Sequence, residues 1–220
     1  TRDKLVKQRT ALVNKIHNVL NGHGIKFGKE TLLTEKALKS IWTYKWDAIV
    51  KIELEVLIEQ IRSLTASIKK LDNQMTEQGK KLDGHENLTS IKGIGDRSAT
   101  VLLSVIGDVK DFSDESKLAA YLGIVPRVSN SNETMHHGRI TKRGSKIGRT
   151  TLVQCTLAAK RYSPYLNRYY ERIKACRGSG KAIIATARKF LGIIYQTLKN
   201  GWIFEDFPNF VLANSCVKKE

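Results

Sequence analysis

The longest regular pattern in the chain is VKIELEVLIEQIRSLTASIKKLDNQM, residues 50–75, whose apolar side chains recur at spacings of four and three. The eight positions of this seam are Val50, Leu54, Leu57, Ile61, Leu64, Ile68, Leu71 and Met75. Charged residues occupy many of the positions between them, so the pattern predicts one long helix from about Trp46 to Gln78. A seam this regular is typical of a coiled coil.

A second apolar seam precedes this helix. Residues 5–20 place Leu5, Leu12, Ile16 and Val19 on one helical face. Two helices with such seams can pair antiparallel within one chain, or each can face a second copy of the chain. We expect a contact between copies, which makes the protein a homo-oligomer, and the intramolecular pair stays open as the competitor.

The remaining patterns are also helical and predict a mainly α fold. Further helices are expected from about Glu30 to Trp42, from Lys146 to Arg161, and on both sides of the glycines between Gly178 and Gly180. A short β-hairpin is compatible with the sequence around Val128 to Ile140. The predicted fold class is therefore long coiled-coil-like helices followed by a compact helical domain.

The sequence changes in character near residue 88. Residues 88–112, LTSIKGIGDRSATVLLSVIGDVKDF, predict a helix end, a tight turn at Gly93 and Gly95, and a new helix. A helix-hairpin-helix element of this kind can hold a DNA phosphate on its backbone N–H groups, although the same pattern also suits a purely structural turn. The predicted organisation is a helical linker over 1–87, a compact domain over 88–203 and a tail over 204–220.

The charge of the chain is concentrated in one region. The formal net charge is +17, and residues 127–199 hold 16 Lys and Arg against two Glu. Cations clustered in this way predict a polyanionic partner, while a solvated basic surface is the alternative. A hydrophobic fraction of 41% argues against global disorder. No apolar run approaches the roughly 20 residues of a membrane span, and no secretory signal is present, so we expect a cytoplasmic protein without a membrane partner.

The most basic part of the sequence is a loop with two serines. Residues 123–151 read GIVPRVSNSNETMHHGRITKRGSKIGRTT and contain Ser129 and Ser131. A serine that attacks a phosphodiester needs a base, a metal or cations that stabilise the developing charge. The nearby cations are Arg127, Arg139, Lys142, Arg143, Lys146 and Arg149. From these residues alone, both a nucleophile and an ordinary polar loop remain open.

Two further motifs bear on nucleic-acid binding. The run GSGK from Gly178 to Lys181 is not a P-loop, because Ala182 stands where the motif needs Ser or Thr. We expect Lys181 to meet a phosphate at the start of a helix. A tyrosine- and arginine-rich segment from Arg161 to Arg172 suits base stacking, but its helical spacing favours packing for most of the tyrosines.

The order of SIKGIGDRSATVLLSVIGDV, GIVPR and HGRITKRGSKIGRTT resembles the C-terminal transposase domain of a bacterial insertion-sequence family. That family includes the bridge-RNA-guided recombinases and the pilin-gene-inverting recombinase, and the resemblance covers about Leu88 to Gly201. It implies a serine nucleophile a few residues after the GIVP segment, which places it at Ser131, with Ser129 as the fallback. It also implies that Arg139, Lys142 and Arg143 contact phosphate. Asn132 departs from the family, whose members often have Gly there.

The resemblance further implies an N-terminal domain with four acidic residues that bind Mg²⁺. No such tetrad is found in residues 1–220, so we expect no cofactor in this chain and Mg²⁺ in the missing domain. The chain alone is then expected to bind DNA, and a guide RNA where one is used, without cutting or joining DNA. The alternatives are a non-enzymatic helix-hairpin-helix module that binds DNA and a coiled-coil assembly protein.

Overall fold

The computed structural model describes residues 1–28, 31–131 and 134–204, and for Thr31 and residues 128–131 and 134–137 it describes the backbone alone. The fold is mainly α, as predicted, with one two-stranded sheet in the described part. The helices are α1 (Arg2–Gly22), α2 (Glu35–Ser40), α3 (Ala48–Gly79), α4 (His85–Ser90), α5 (Asp96–Ile106), α6 (Glu115–Tyr121), α7 (Lys146–Tyr162), α8 (Pro164–Arg177) and α9 (Ser179–Asn200), and the strands are β1 (Pro126–Ser131) and β2 (Thr134–Ile140). Short 3-10 turns cover Thr31–Leu33, Ile41–Thr43 and Val109–Asp111.

The chain divides into two compact units, one from Thr1 to Gln74 and one from Met75 onward. The division falls within α3, the long helix that the apolar seam predicts. No helix in the described ranges has both the length and the apolar composition that crossing a membrane requires.

The core of the first unit lies between α1 and α3. Leu20 on α1 and Leu54 and Ile61 on α3 are at most 1% exposed, and they share one apolar cluster. The guanidinium of Arg2 donates to Asp72 at 3.0 Å, and the Lys15 ammonium lies 3.0 Å from the Glu53 carboxylate. As residue numbers rise along α1 they fall along α3, so the two helices run antiparallel.

This pairing covers part of the predicted seam within the chain, because α1 packs on Leu54 and Ile61. The contact expected between copies stays a prediction. The predicted competitor, an intramolecular antiparallel pair, is the arrangement found. Burial of a side chain of this size stabilises the folded state by about 1.5–3 kcal/mol.

The second unit is built around α9. Its apolar face buries Phe190, Leu191 and Ile194 at 0% exposure, together with Leu152 of α7 and Leu166 of α8 in one cluster. The period of about 3.6 residues explains why α9 buries this face and leaves its basic residues exposed. The helix ends at Gly201, which adopts the left-handed conformation with φ of 64°.

The structure contains the helix, tight turn and helix predicted around residue 93. The first helix is α4, the turn contains Gly93, and the second helix is α5. Gly93 has φ of +111°, and a Cβ there would lie 2.6 Å from the backbone nitrogen of Ala159 on α7. Gly95 precedes α5 and has open space around it. Gly93 is therefore required by close packing against α7, a role that the sequence had not indicated.

Candidate nucleic-acid interface

The base of the basic loop is a contact between two glycine turns. Gly123 follows α6 with φ of +67°, and Gly144 precedes α7 with φ of +82°. A Cβ on Gly123 would overlap the carbonyl oxygen of Arg143, and a Cβ on Gly144 would overlap that of Tyr121. The two segments GIVP and KRG can touch only because both positions lack a side chain.

Backbone hydrogen bonds fix the hairpin on this base. The Thr141 N–H donates to the Val125 carbonyl at 2.9 Å, and the Lys142 N–H donates to the Gly123 carbonyl at 3.0 Å. Lys142 has φ of +55°, which is uncommon for a residue with a side chain. The strands pair antiparallel with Ser129 opposite His136 and Ser131 opposite Thr134, so the predicted hairpin is confirmed.

Arg149 has a structural role that the sequence did not predict. Its Nη1 donates to the carbonyl oxygens of Leu122, Arg143 and Gly144 at 3.1, 2.9 and 3.1 Å. One guanidinium nitrogen thus joins the end of α6 to the start of α7. Ser145 caps α7 by accepting a hydrogen bond from the Gly148 N–H at 3.1 Å.

We predict that Arg149→Gln and Lys146→Gln have different effects, although each removes one cation from the first part of α7. Arg149→Gln leaves three carbonyls without their charged donor and lowers the free energy of unfolding by about 1–3 kcal/mol. Lys146→Gln leaves the melting temperature unchanged, because the Lys146 side chain is exposed and makes no hydrogen bond or ion pair among the described residues. Thermal unfolding followed by circular dichroism compares the two, and equal melting temperatures would contradict the anchoring role of Arg149.

A groove of about 990 Å³ lies between β2, the end of α8 and the exposed face of α9. Its apolar lining residues include Ile124, Ile140 and Ile184. Its cations are Arg139, Lys142, Arg177, Lys181, Arg188 and Lys189. All six are exposed, and none forms an ion pair with a carboxylate in the described ranges. We call this the cationic groove.

Two smaller depressions continue the cationic groove. The first is about 480 Å³, shares Lys142 and Ile184 with the groove, and adds Lys146 and Arg149. The second is about 700 Å³, meets the first at Gln154, and is lined by Lys160 and Arg161. Together the three form a track of cations along β2, α7, α8 and α9, which is the electrostatic pattern of a surface that follows a phosphate backbone.

The structure brings several of the predicted site residues together. Arg139, Lys142 and Lys181 line the cationic groove, although some 40 residues of chain separate Lys142 from Lys181. Lys142 also lines the neighbouring depression with Lys146 and Arg149. Arg139, Lys142 and Lys181 thus line one groove, although they come from two separate motifs in the sequence.

Other predicted residues lie elsewhere. Arg127 and Arg143 are exposed but line none of the three depressions, and neither do Gly93 and Gly95. Ser129 and Ser131 lie on β1, and the placement of their side chains is outside the described structure.

The tyrosines divide as their helical spacing indicates. Tyr165 and Tyr170 are at most 8% exposed, as expected for packing. Tyr169 is half-buried and lines the cationic groove, whereas Tyr162 is 59% exposed. The aromatic surface available to a ligand is therefore smaller than the sequence suggests.

Sequence reasoning missed half of the cationic groove. Arg177, Arg188 and Lys189 were not among the predicted contacts, nor was the one carboxylate in the groove lining, that of Glu115. The signal for Arg188 was available, because it lies seven residues after Lys181 and so shares its face of α9.

The described residues do not fit a metal centre. Among them, no group of three or more His, Cys, Asp or Glu side chains could hold a metal ion. The cationic groove is also unfavourable for a divalent cation, because its charged side chains are almost all positive. The groove is suited to hold anions.

Comparison with models of protein families gives a match to part of the chain. Residues 85–171 match the family model described as Transposase IS116/IS110/IS902 family, a stretch that includes α4 to α7, the hairpin and part of α8. This part of the chain therefore carries a domain of that family, which confirms the resemblance seen in the sequence.

Individual relatives agree with the family. The chain is 27% identical over 208 residues to the transposase for insertion sequence element IS1111A of Coxiella burnetii, covering 90% of this chain and 56% of that protein. It is 25% identical over 205 residues to a probable family 20 transposase of Pseudomonas aeruginosa, covering 90% and 61%. It is 31% identical over 156 residues to the pilin gene-inverting protein of Moraxella lacunata, covering 67% and 48%. The chain thus spans about half the length of the curated relatives that it matches.

Proposed function

We propose that this chain is the DNA-holding and strand-transfer part of a transposase, and that it binds nucleic acid through phosphates in the cationic groove. The observation that carries the proposal is the meeting of six exposed cations, without carboxylate partners in the described ranges, in one groove. Exposed cations bind phosphates without the desolvation penalty of a buried ion pair. Relatives whose names describe transposases and a gene-inverting protein support DNA as the polyanion.

The proposed chemistry is attack of the Ser131 hydroxyl on a DNA phosphate. The Oγ–P bond forms, the bond from phosphorus to one deoxyribose oxygen breaks, and that oxygen takes up a proton while the serine hydroxyl gives its proton to a base. The product is a phosphoserine link that a second strand can resolve. This proposal is supported by the family resemblance and by the position of β1 beside β2, whose Arg139 lines the groove.

Cations near the reacting phosphate stabilise the charge that develops on its oxygens. Arg139 on β2 and Lys142 just after it are the groove cations nearest in sequence to Ser131, and the Lys142 N–H is held by the Gly123 carbonyl. We propose that the divalent metal of the reaction is held by residues other than those described.

Covalent capture tests the nucleophile. The complete transposase that contains this chain is incubated with its element-end DNA in a magnesium buffer, denatured and examined for protein attached to DNA. We expect Ser131→Ala to abolish the adduct and Ser129→Ala to leave it. Survival of the adduct in both variants would exclude a serine of this loop, and loss in Ser129→Ala alone would move the role to Ser129.

A non-enzymatic DNA-binding module is the second candidate. The turn before α5 favours it, because Gly95 is exposed and nothing lies within 4 Å of a Cβ built there, so a phosphate backbone could approach. Such a helix-hairpin-helix contact would give salt-dependent DNA binding without any adduct. A protein that binds DNA but never forms the adduct would therefore support this candidate. A guide RNA would be held by the same phosphate recognition.

We also propose that a second copy of the chain packs on α3. The outer face of α3 carries Ile49, Ile52 and Val56, which are 81%, 62% and 48% exposed and follow one another at spacings of three and four residues. A symmetric dimer would cover this stripe with the same stripe of its partner. Ile52→Lys is then expected to convert the dimer to monomer in sedimentation velocity, whereas an unchanged mass would exclude this face.

A further inference from the structure

Glu115 is the one carboxylate among the residues that line the cationic groove. It lies at the start of α6, exposed to solvent, in a groove that otherwise presents cations and apolar side chains. A carboxylate repels phosphate, so its presence lowers the general affinity of the groove for polyanions. The loss of affinity that Glu115 causes in this groove therefore requires an explanation.

The carboxylate has a defined place over α9. A Cβ built on Gly192 would overlap the Oε2 atom of Glu115, so the missing side chain of Gly192 is what makes room for the carboxylate. Gly192 is buried within α9, where glycine costs about 1 kcal/mol relative to alanine. The glycine thus accommodates Glu115 at a position where helix propensity alone would favour alanine.

Glu115 also marks one end of the cationic stripe on α9. Lys181, Arg188 and Gly192 follow one another at seven and four residues and so share a helical face. With a rise of 1.5 Å per residue, the distance from Lys181 to Gly192 is about 16 Å, which is roughly five base-pair steps at 3.4 Å. If the phosphates of a strand lie along Lys181 and Arg188, Glu115 at the end of this stripe would face a part of a nucleotide other than its phosphate.

The role of Glu115 is not explained by the fold. The N-terminus of α6 is capped by Asp114, whose carboxylate accepts from the backbone N–H of Ser116 at 2.8 Å and of Lys117 at 3.0 Å. Within the described ranges, Glu115 forms no ion pair and accepts no hydrogen bond. Its two oxygens remain available as hydrogen-bond acceptors for a ligand.

We infer that Glu115 accepts a hydrogen bond from a neutral donor of the bound nucleotide, either a base amino group or a ribose 2′-hydroxyl, and so makes the cationic groove selective. The inference rests on the proposed function, because it requires nucleic acid in the groove. The repulsion between a carboxylate and phosphate is offset only where the carboxylate accepts a hydrogen bond from a donor. A charge-assisted hydrogen bond is about twice as strong as a neutral one. Nucleotides without the donor are then rejected.

The test compares affinities across a panel of single-stranded 12-mers that differ in one property at a time. Ribose and deoxyribose versions of the same sequence isolate the 2′-hydroxyl, and inosine in place of guanine removes one amino group. For Glu115→Gln, we expect affinity for oligonucleotides without the donor to rise and the ratio between the best and the worst oligonucleotide to fall about tenfold. The arm that loses its preference identifies the donor.

Two matched variants distinguish selective hydrogen bonding by Glu115 from the effect of its negative charge alone. Glu86→Gln removes an exposed glutamate from the first turn of α4, outside the groove lining, and is expected to leave the ratio unchanged. Gly192→Ala keeps the charge but displaces the Glu115 carboxylate, and is expected to lower the ratio as Glu115→Gln does.

The outcomes distinguish the two proposals. If Glu115→Gln raises the affinity for every oligonucleotide by the same factor, Glu115 is only a charge in the groove and the inference is wrong, while the proposed function stands. If the unmodified chain binds none of the panel, both are wrong.

Discussion

Replacing Lys181 and Arg188 together with glutamine is expected to weaken binding to duplex DNA about 30-fold at about 0.15 M salt. Each phosphate that a cation neutralises contributes a slope of about −0.9 to the dependence of log affinity on log salt, which is about fivefold at this concentration. Both side chains are exposed on one face of α9, so their loss leaves the core intact. Fluorescence anisotropy across a salt series should show a slope shallower by about 1.8.

The control for this double variant is the exchange of Lys69 and Lys70 for glutamine. Both are exposed on α3 and neither lines the groove, so the same net charge is removed outside the groove lining. We expect this control to lower affinity by less than about threefold through long-range attraction alone. Equal losses in the two double variants would mean that binding follows net charge and not the groove.

Gly123→Ala is expected to lower the stability of the second unit by about 2–5 kcal/mol. The left-handed backbone costs about 1–2 kcal/mol for a residue with a Cβ, and the overlap with the Arg143 carbonyl adds about 1–3 kcal/mol. The overlapping atom is a backbone carbonyl oxygen, which cannot rotate away as a side chain would. For a unit of this size, the melting temperature should fall by roughly 10 °C, and differential scanning calorimetry measures it.

Gly201→Ala is the matched control, because Gly201 has φ of +64° and nothing within 4 Å of its Cβ position. It carries the conformational cost without the overlap, so its melting temperature should fall by much less. If the two variants melt alike, the contact between the glycine turns does not hold the hairpin base. Gly123→Ala should also weaken DNA binding, since Arg139 and Lys142 are positioned by that base.

The helices were largely predictable, but the partner of each apolar face was not. Periodicity in residues 50–75 specified which face of α3 is apolar, and Leu54 and Ile61 are indeed buried. It could not specify whether a helix of the same chain or of another copy covers that face, because both bury the same side chains. The antiparallel position of α1 is determined by tertiary packing, which a local sequence pattern does not specify.

The same distinction applies to the cationic groove: some of its residues belong to recognisable sequence motifs, and others join it only through the tertiary fold. Arg139 and Lys142 stand in a recognisable basic signature, and Lys181 follows a glycine turn, so sequence reasoning found them. Arg177 and Lys189 became part of the site only because α8 and α9 fold beside β2. The roles of Gly93 and Arg149 depend on close contacts with α7 and with three backbone carbonyls, which a sequence does not display.

The central claim, that the cationic groove is where nucleic acid binds, is tested most directly by photo-crosslinking. DNA that carries 4-thiothymidine is irradiated in complex with the chain, and mass spectrometry identifies the attached peptides. We predict crosslinks in residues 138–142 and 177–189, and we expect them to be lost when Lys181 and Arg188 are replaced. Crosslinks confined to residues 1–74 would contradict it.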